Sequence, residues 1–115
     1  MKKSEINIRI NLDNQNVPET IQWQATDSPA KGWNAVKAMA LGLWDDKEKG
    51  TLKIDLWTKD MEVYDMKKFA IEIISGLADT MRTATYDEVM AIEMENLCRE
   101  LTARLEQELR LAQNG

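Results

Sequence analysis

The run Ile6-Asn7-Ile8-Arg9-Ile10-Asn11-Leu12 alternates apolar and polar residues without exception. A period of two built on β-branched side chains specifies a strand with one dry face and one wet face, and no helix can satisfy it. Asp13-Asn14-Gln15-Asn16 follows as a turn, and Pro18 marks the edge of the next element. Ile21, Trp23 and Ala25 then alternate with Thr20, Gln22 and Gln24, so a second strand returns on the first as a hairpin.

Residues 30–48 admit two readings. Ser28-Pro29 has the form of an N-cap followed by proline at the first helical position. Trp33, Val36, Met39, Ala40, Leu43 and Trp44 fall at helical spacing, and Gly50 stands where a helix C-terminal glycine belongs. These signals favour a helix. The rival is a strand from Lys37 to Asp45, in a hairpin turning through Asp45-Asp46-Lys47-Glu48-Lys49-Gly50.

Thr51 to Trp57 alternates again, with Leu52, Ile54 and Leu56 on one face and Lys53, Asp55 and Trp57 on the other. Asp60 is placed to cap a helix whose apolar stripe includes Val63, Met66, Phe69, Ile73, Leu77 and Met81. Thr85-Tyr86-Asp87-Glu88 has the capping-box form and opens a last helix. Its apolar line runs Val89/Met90, Met94, Leu97, Leu101, Leu105 and Leu109, and Glu95–Arg99, Glu100–Arg104 and Glu106–Arg110 are spaced as i,i+4 pairs. From Tyr86 to Ala112 this helix spans ~40 Å, more than a small sheet can cover. Its end therefore either frays or packs on another subunit, and in the second case Leu101, Leu105 and Leu109 are the candidates for self-association, as a homodimer through the last helix. The order β-β-α-β-α-α defines one α+β domain over residues 1–115: a small antiparallel sheet of about three strands, with helices packed on one face.

Composition narrows the chemistry. Among 115 residues there is no histidine and a single cysteine, Cys98. A disulfide, a His/Cys zinc site and every triad or dyad built on imidazole are thereby excluded within the chain. No glycine-rich phosphate loop is present, and the net charge of −5 gives no footprint for nucleic acid. The lysines at 2 and 3 are followed by alternation, not by the apolar run of a signal peptide, and no apolar stretch approaches a membrane span. With one thiol, the chain reads as cytoplasmic and without membrane insertion. Asp45, Asp46 and Glu48 crowd one segment, but alternate with Lys47 and Lys49 as a solvated surface does. Asp55 and Asp60 suit surface and cap roles better than acid–base work. Cys98 near the apolar line reads as an inert buried thiol. No catalytic residue, cofactor or metal ligand is assigned, and the chain is not expected to be an enzyme.

The tryptophans say more. Trp23 and Trp33 suit core faces, as does Trp44 if its segment is helical. Trp57 shares a strand face with Lys53 and Asp55, away from the apolar residues. A large aromatic on a wet sheet face calls either for a protein partner or for a covering loop. Lys53, Asp55, Trp57, Thr58 and Lys59 are accordingly the candidate interaction residues. An acidic, methionine-rich, helical chain also admits an export chaperone that holds unfolded clients as an oligomer.

The run Leu52-Lys53-Ile54-Asp55-Leu56-Trp57-Thr58-Lys59-Asp60-Met61 follows Leu43-Trp44-Asp45 and the charged Lys47-Glu48-Lys49. With Ser4-Glu5-Ile6 and Val17-Pro18-Glu19, it resembles the gliding motility protein GldC family of the Bacteroidetes over roughly residues 2–83. The last helix adds nothing specific to that likeness. The resemblance implies a small soluble cytoplasmic protein, encoded with the gliding and type IX secretion machinery and assisting motility. Its partner would be an unidentified protein of that machinery. It implies no enzymatic activity, cofactor or catalytic residue.

Overall fold

The computed structural model describes residues 1–114. It comprises β1 (Ile6–Leu12), β2 (Pro18–Ala25), β3 (Asn34–Val36), β4 (Ala38–Asp45), β5 (Gly50–Trp57), α1 (Val63–Thr85) and α2 (Glu88–Asn114). The architecture is α+β, and the chain divides into two compact units, Met1–Met61 and Glu62–Gly115.

In the first unit, β1, β2 and β3 form an antiparallel sheet in that order, and β4 and β5 form an antiparallel hairpin. The β1–β2 register sets Ile8 opposite Trp23 and Ile10 opposite Ile21. Ile21, which also faces Val36 on β3, is 1% exposed and forms the centre of this unit's core. The connecting turn is held by Asp13, whose Oδ1 accepts the backbone N–H groups of Gln15 and Val17 at 2.8 and 3.0 Å. This is the local bonding that makes aspartate a turn former. Asn16 takes the left-handed conformation there, at φ 63°.

Within residues 30–48 the structure has two strands, β3 and β4, and no helix. Ser28 does not cap a helix: its buried hydroxyl accepts the N–H of Ala30 in a local turn, and Gly32 then turns at φ 81°. Pairing decides the outcome. Met39, Leu41 and Leu43 stand opposite Leu56, Ile54 and Leu52, building one apolar face. Ala38, Ala40 and Gly42 stand opposite Trp57, Asp55 and Lys53 on the other. The intrinsic helix preference of Ala, Met and Leu is a few tenths of a kcal/mol per residue, less than cross-strand pairing along eight residues can supply. Asp45 holds the hairpin turn by accepting N–H groups from Lys47 and Glu48, and Lys49 completes it at φ 55°. The Asp45–Gly50 segment is thus a hairpin loop, and the sheet content is five strands, not three.

The second unit is a helix hairpin. Tyr86, left-handed at φ 60°, terminates α1 by donating its N–H to the Arg82 carbonyl. The cap of α2 is Asp87, not Thr85: Asp87 Oδ1 accepts the N–H of Met90 at 2.9 Å. Thr85 still belongs to α1 and donates its hydroxyl to the Met81 carbonyl. Asp60 does not cap α1 either; Glu62 occupies that position, without a side-chain bond. The seam of α2 runs through Ala91, Cys98 and Leu105, all buried and seven residues apart, with Met94 and Leu101 half-buried between them. Spacings of three and four residues are those of a coiled-coil seam. Opposite it, α1 contributes Ile71, Ile74 and Met81, half-buried, and Ala78, fully buried. The alanines let the helices approach closely, and the Cys98 thiol lies 3.6 Å from the Ile71 carbonyl. Leu97 and Leu109, expected on the apolar line, are 45% and 37% exposed, because the seam is centred one residue further along. No helix among the described residues is long and apolar enough to cross a membrane.

Candidate functional site

The β4–β5 hairpin carries three of the five candidate interaction residues on one face. Lys53, Asp55 and Trp57 alternate along β5, and Lys53 Nζ lies 2.7 Å from Asp55 Oδ2. The β4 residues across from them are Gly42, Ala40 and Ala38, so nothing on the neighbouring strand rises to cover them. Trp57 is 52% exposed. Trp44, on the same face at the turn end opposite Thr51, is 63% exposed. The expectation that Trp44 lies in a core fails with the helix that would have placed it there. Parity with Trp57 in the strand reading was the available signal.

Beyond Trp57 the chain enters a tight junction. Thr58 is 3% exposed, so it does not belong to a contact surface as expected. It fixes the backbone instead, donating its N–H to the Lys37 carbonyl at 2.8 Å and its hydroxyl to Asp60 Oδ1 at 2.7 Å. Asp60 also receives Lys37 Nζ at 2.7 Å. The Lys37 ammonium, then the Thr58 hydroxyl, hold the Asp60 carboxyl below its ordinary value. Lys59 donates its N–H to the Pro18 carbonyl and sets its Nζ between Asp13 (3.1 Å) and Glu19 (3.2 Å). Those two carboxylates raise the Lys59 ammonium. The N–H groups of Val17 and Gln15, followed by Lys59, lower Asp13.

The junction borders a cleft of about 300 Å³ lined by Val17, Pro18, Asp55, Leu56, Trp57 and Lys59. The structure therefore brings Asp55, Trp57 and Lys59 to one cleft and leaves Lys53 further along the same face. Asp13, Glu19 and Lys37 were missed by sequence reasoning; separations of 46 and 40 residues to Lys59 carry no spacing signal. Chemically the cleft offers an indole, an aliphatic wall and charges already paired. Among the described residues no three His, Cys, Asp or Glu side chains converge as metal ligands would.

The candidates on the last helix are placed differently. Leu105 is 7% exposed and covered by α1 of the same chain. Leu101 lines a groove of about 250 Å³ with Ile71 and Ile74, again along the hairpin. Leu109 sits nearer its edge, beside Val63 and Tyr64. α1 thus covers Leu105, while Leu109 stays 37% exposed. Glu95 likewise engages Arg82 across the hairpin, at 2.9 Å, instead of pairing with Arg99 as its i,i+4 partner.

These features define a small sheet-and-helix-hairpin protein that presents an aromatic strand face flanked by ion-paired side chains. A family model described as "Gliding motility-associated protein GldC-like" matches residues 18–107. The chain belongs to the GldC-like family. The match runs from β2 almost to the end of α2, so the last helix is part of the family's pattern and not generic. A comparison with curated proteins gave no match, and neither did one with solved structures.

Proposed function

We propose that this chain is a non-enzymatic accessory of the gliding machinery, working in the cytoplasm and in step with type IX secretion. It binds another protein of that machinery through the outer face of β4–β5. Membership of the gliding motility-associated family supports the cellular role. The observation that carries the mechanism is Trp57, half exposed above Ala38 and bordering an apolar-walled cleft. Exposed aromatics beside ordered polar groups are the residues that dominate protein interfaces. Replacing Trp57 by alanine should leave far-UV dichroism and unfolding little changed while weakening partner capture about thirtyfold or more, the loss of one hot spot. Cross-linking from Lys53 in the native cell would identify the captured protein. A variant that unfolds, or one that captures the partner undiminished, would remove Trp57 from the interface.

A second reading, an acidic oligomeric chaperone holding unfolded export clients, draws on the opposite face of the same hairpin. There Leu43, Leu52 and Ile54 are 49%, 57% and 39% exposed. Binding of a permanently unfolded, carboxymethylated test protein, lost on Leu52→Glu and kept on Trp57→Ala, would favour it.

A further inference from the structure

β1 stands at the edge of its sheet, paired on one side with β2. Glu5 donates its N–H to Thr26 Oγ1 and accepts the Thr26 N–H at its carbonyl, so the odd-numbered residues point their backbone groups toward β2. By the alternation of an antiparallel ladder, Ile6, Ile8 and Ile10 turn theirs outward, three donors and three acceptors along the free edge. Natural sheets protect such an edge with lysine, proline, a bulge or a cover. Ile6–Ile10 has no lysine or proline, and the register irregularity comes only at Asn11/Leu12. Its one charge, Arg9, lies 4.1 Å over the Trp33 ring. Ile6 and Ile8 are 73% and 40% exposed.

The edge is also self-complementary. Glu5-Ile6-Asn7-Ile8-Arg9 sets complementary residues at mirrored positions about its centre, which suits two antiparallel copies related by a two-fold axis. An axis through Arg9 would set two like charges face to face, which is unfavourable in a cross-strand pair. Moving the axis to Asn7 sets Glu5 of each copy opposite Arg9 of the other, Asn7 opposite Asn7, and Ile6 opposite Ile8. Charges and amides then meet their complements, and the outward backbone groups of Ile6 and Ile8 pair with those of Ile8 and Ile6 in the other copy.

We propose that the outer edge of β1 binds a second copy of this chain, antiparallel about Asn7, joining the two three-stranded sheets into one of six strands through reciprocal Glu5–Arg9 pairs. Sedimentation velocity on the full chain reads the outcome, with dichroism confirming that each variant is folded. The wild type should show a species of twice 13.2 kDa at micromolar concentration. Glu5→Arg should weaken it about tenfold, and adding Arg9→Glu should restore it. Ile8→Pro, which deletes one outward donor and leaves the β1–β2 ladder bonds in place, should yield monomers. A wild type that is monomeric at ~100 μM would overturn the proposal. So would a dimer indifferent to Glu5→Arg and Ile8→Pro, or a folded charge-swapped double variant no tighter than Glu5→Arg alone.

Discussion

Arg82 holds both carboxylate oxygens of Glu95 across the helix hairpin, at 2.9 and 3.3 Å from its two terminal nitrogens. Its Nε binds Glu88 at 2.8 Å, so one guanidinium ties the end of α1 to the first two turns of α2. A planar fork makes those contacts and an ammonium cannot. Arg82→Lys should lower the thermal midpoint slightly and Arg82→Ala by a few degrees more, read by dichroism at 222 nm.

Acid should weaken the hairpin in a definite window. Arg82 lowers Glu95 and Lys67 lowers Glu108, each from an ordinary 4.5. A carboxyl whose folded pKa is depressed contributes fully above its unfolded value, and the contribution fades as pH falls through the folded one. Stability should therefore hold from pH 7 to about 5 and decline below about 4.5, with a shallower decline in Arg82→Ala.

Thr58→Val removes a buried hydroxyl that donates to Asp60, with little change of shape. Hydrogen bonds to charged acceptors are worth about 1.5–3 kcal/mol, and Asp60 keeps Lys37. A loss of about 1.5 kcal/mol in urea unfolding is expected. Trp57-dependent binding should weaken with it, since Thr58 anchors the end of β5.

Leu105 and Leu109 test what covers α2. Leu105→Ala empties a seam position that is 7% exposed and should cost about 2–4 kcal/mol, while Leu109→Ala should cost under about 1.5. Truncation after Glu100 should likewise lower stability, because it strips Leu101 and Leu105 from the contact with α1.

Lys49→Gly probes the β4–β5 loop. A non-glycine residue at φ 55° is strained, and glycine adopts that conformation freely. A gain of up to about 1 kcal/mol is expected, against the small loss of an exposed ion pair with Asp46.

Much of this fold is legible in the chain, because alternation and heptad spacing are local. β1, β2, β5 and both helices follow from them directly. Residues 30–48 mislead because Ala38, Met39, Ala40 and Leu41 favour a helix in isolation. What overrules them is a partner strand ten or more residues away, and the mirror match of Met39, Leu41 and Leu43 to Leu56, Ile54 and Leu52 is visible only once a turn at Asp45–Gly50 is assumed. At the site, Lys53, Asp55 and Trp57 follow from parity alone. The burial of Thr58 does not, since Lys37 supplies its backbone partner from 21 positions earlier.

Three consecutive hairpins, β1–β2, β4–β5 and α1–α2, make up nearly all of this molecule. Each closes with the element that immediately follows it, so sequence separations between paired residues stay short and folding should be fast for a chain containing sheet. During synthesis each hairpin can form as soon as its second half has left the ribosome. The last tie of the first unit, Lys59 to Asp13 and Glu19, waits until β5 has emerged. The surface around Trp57 is thus assembled late, on strands already in place.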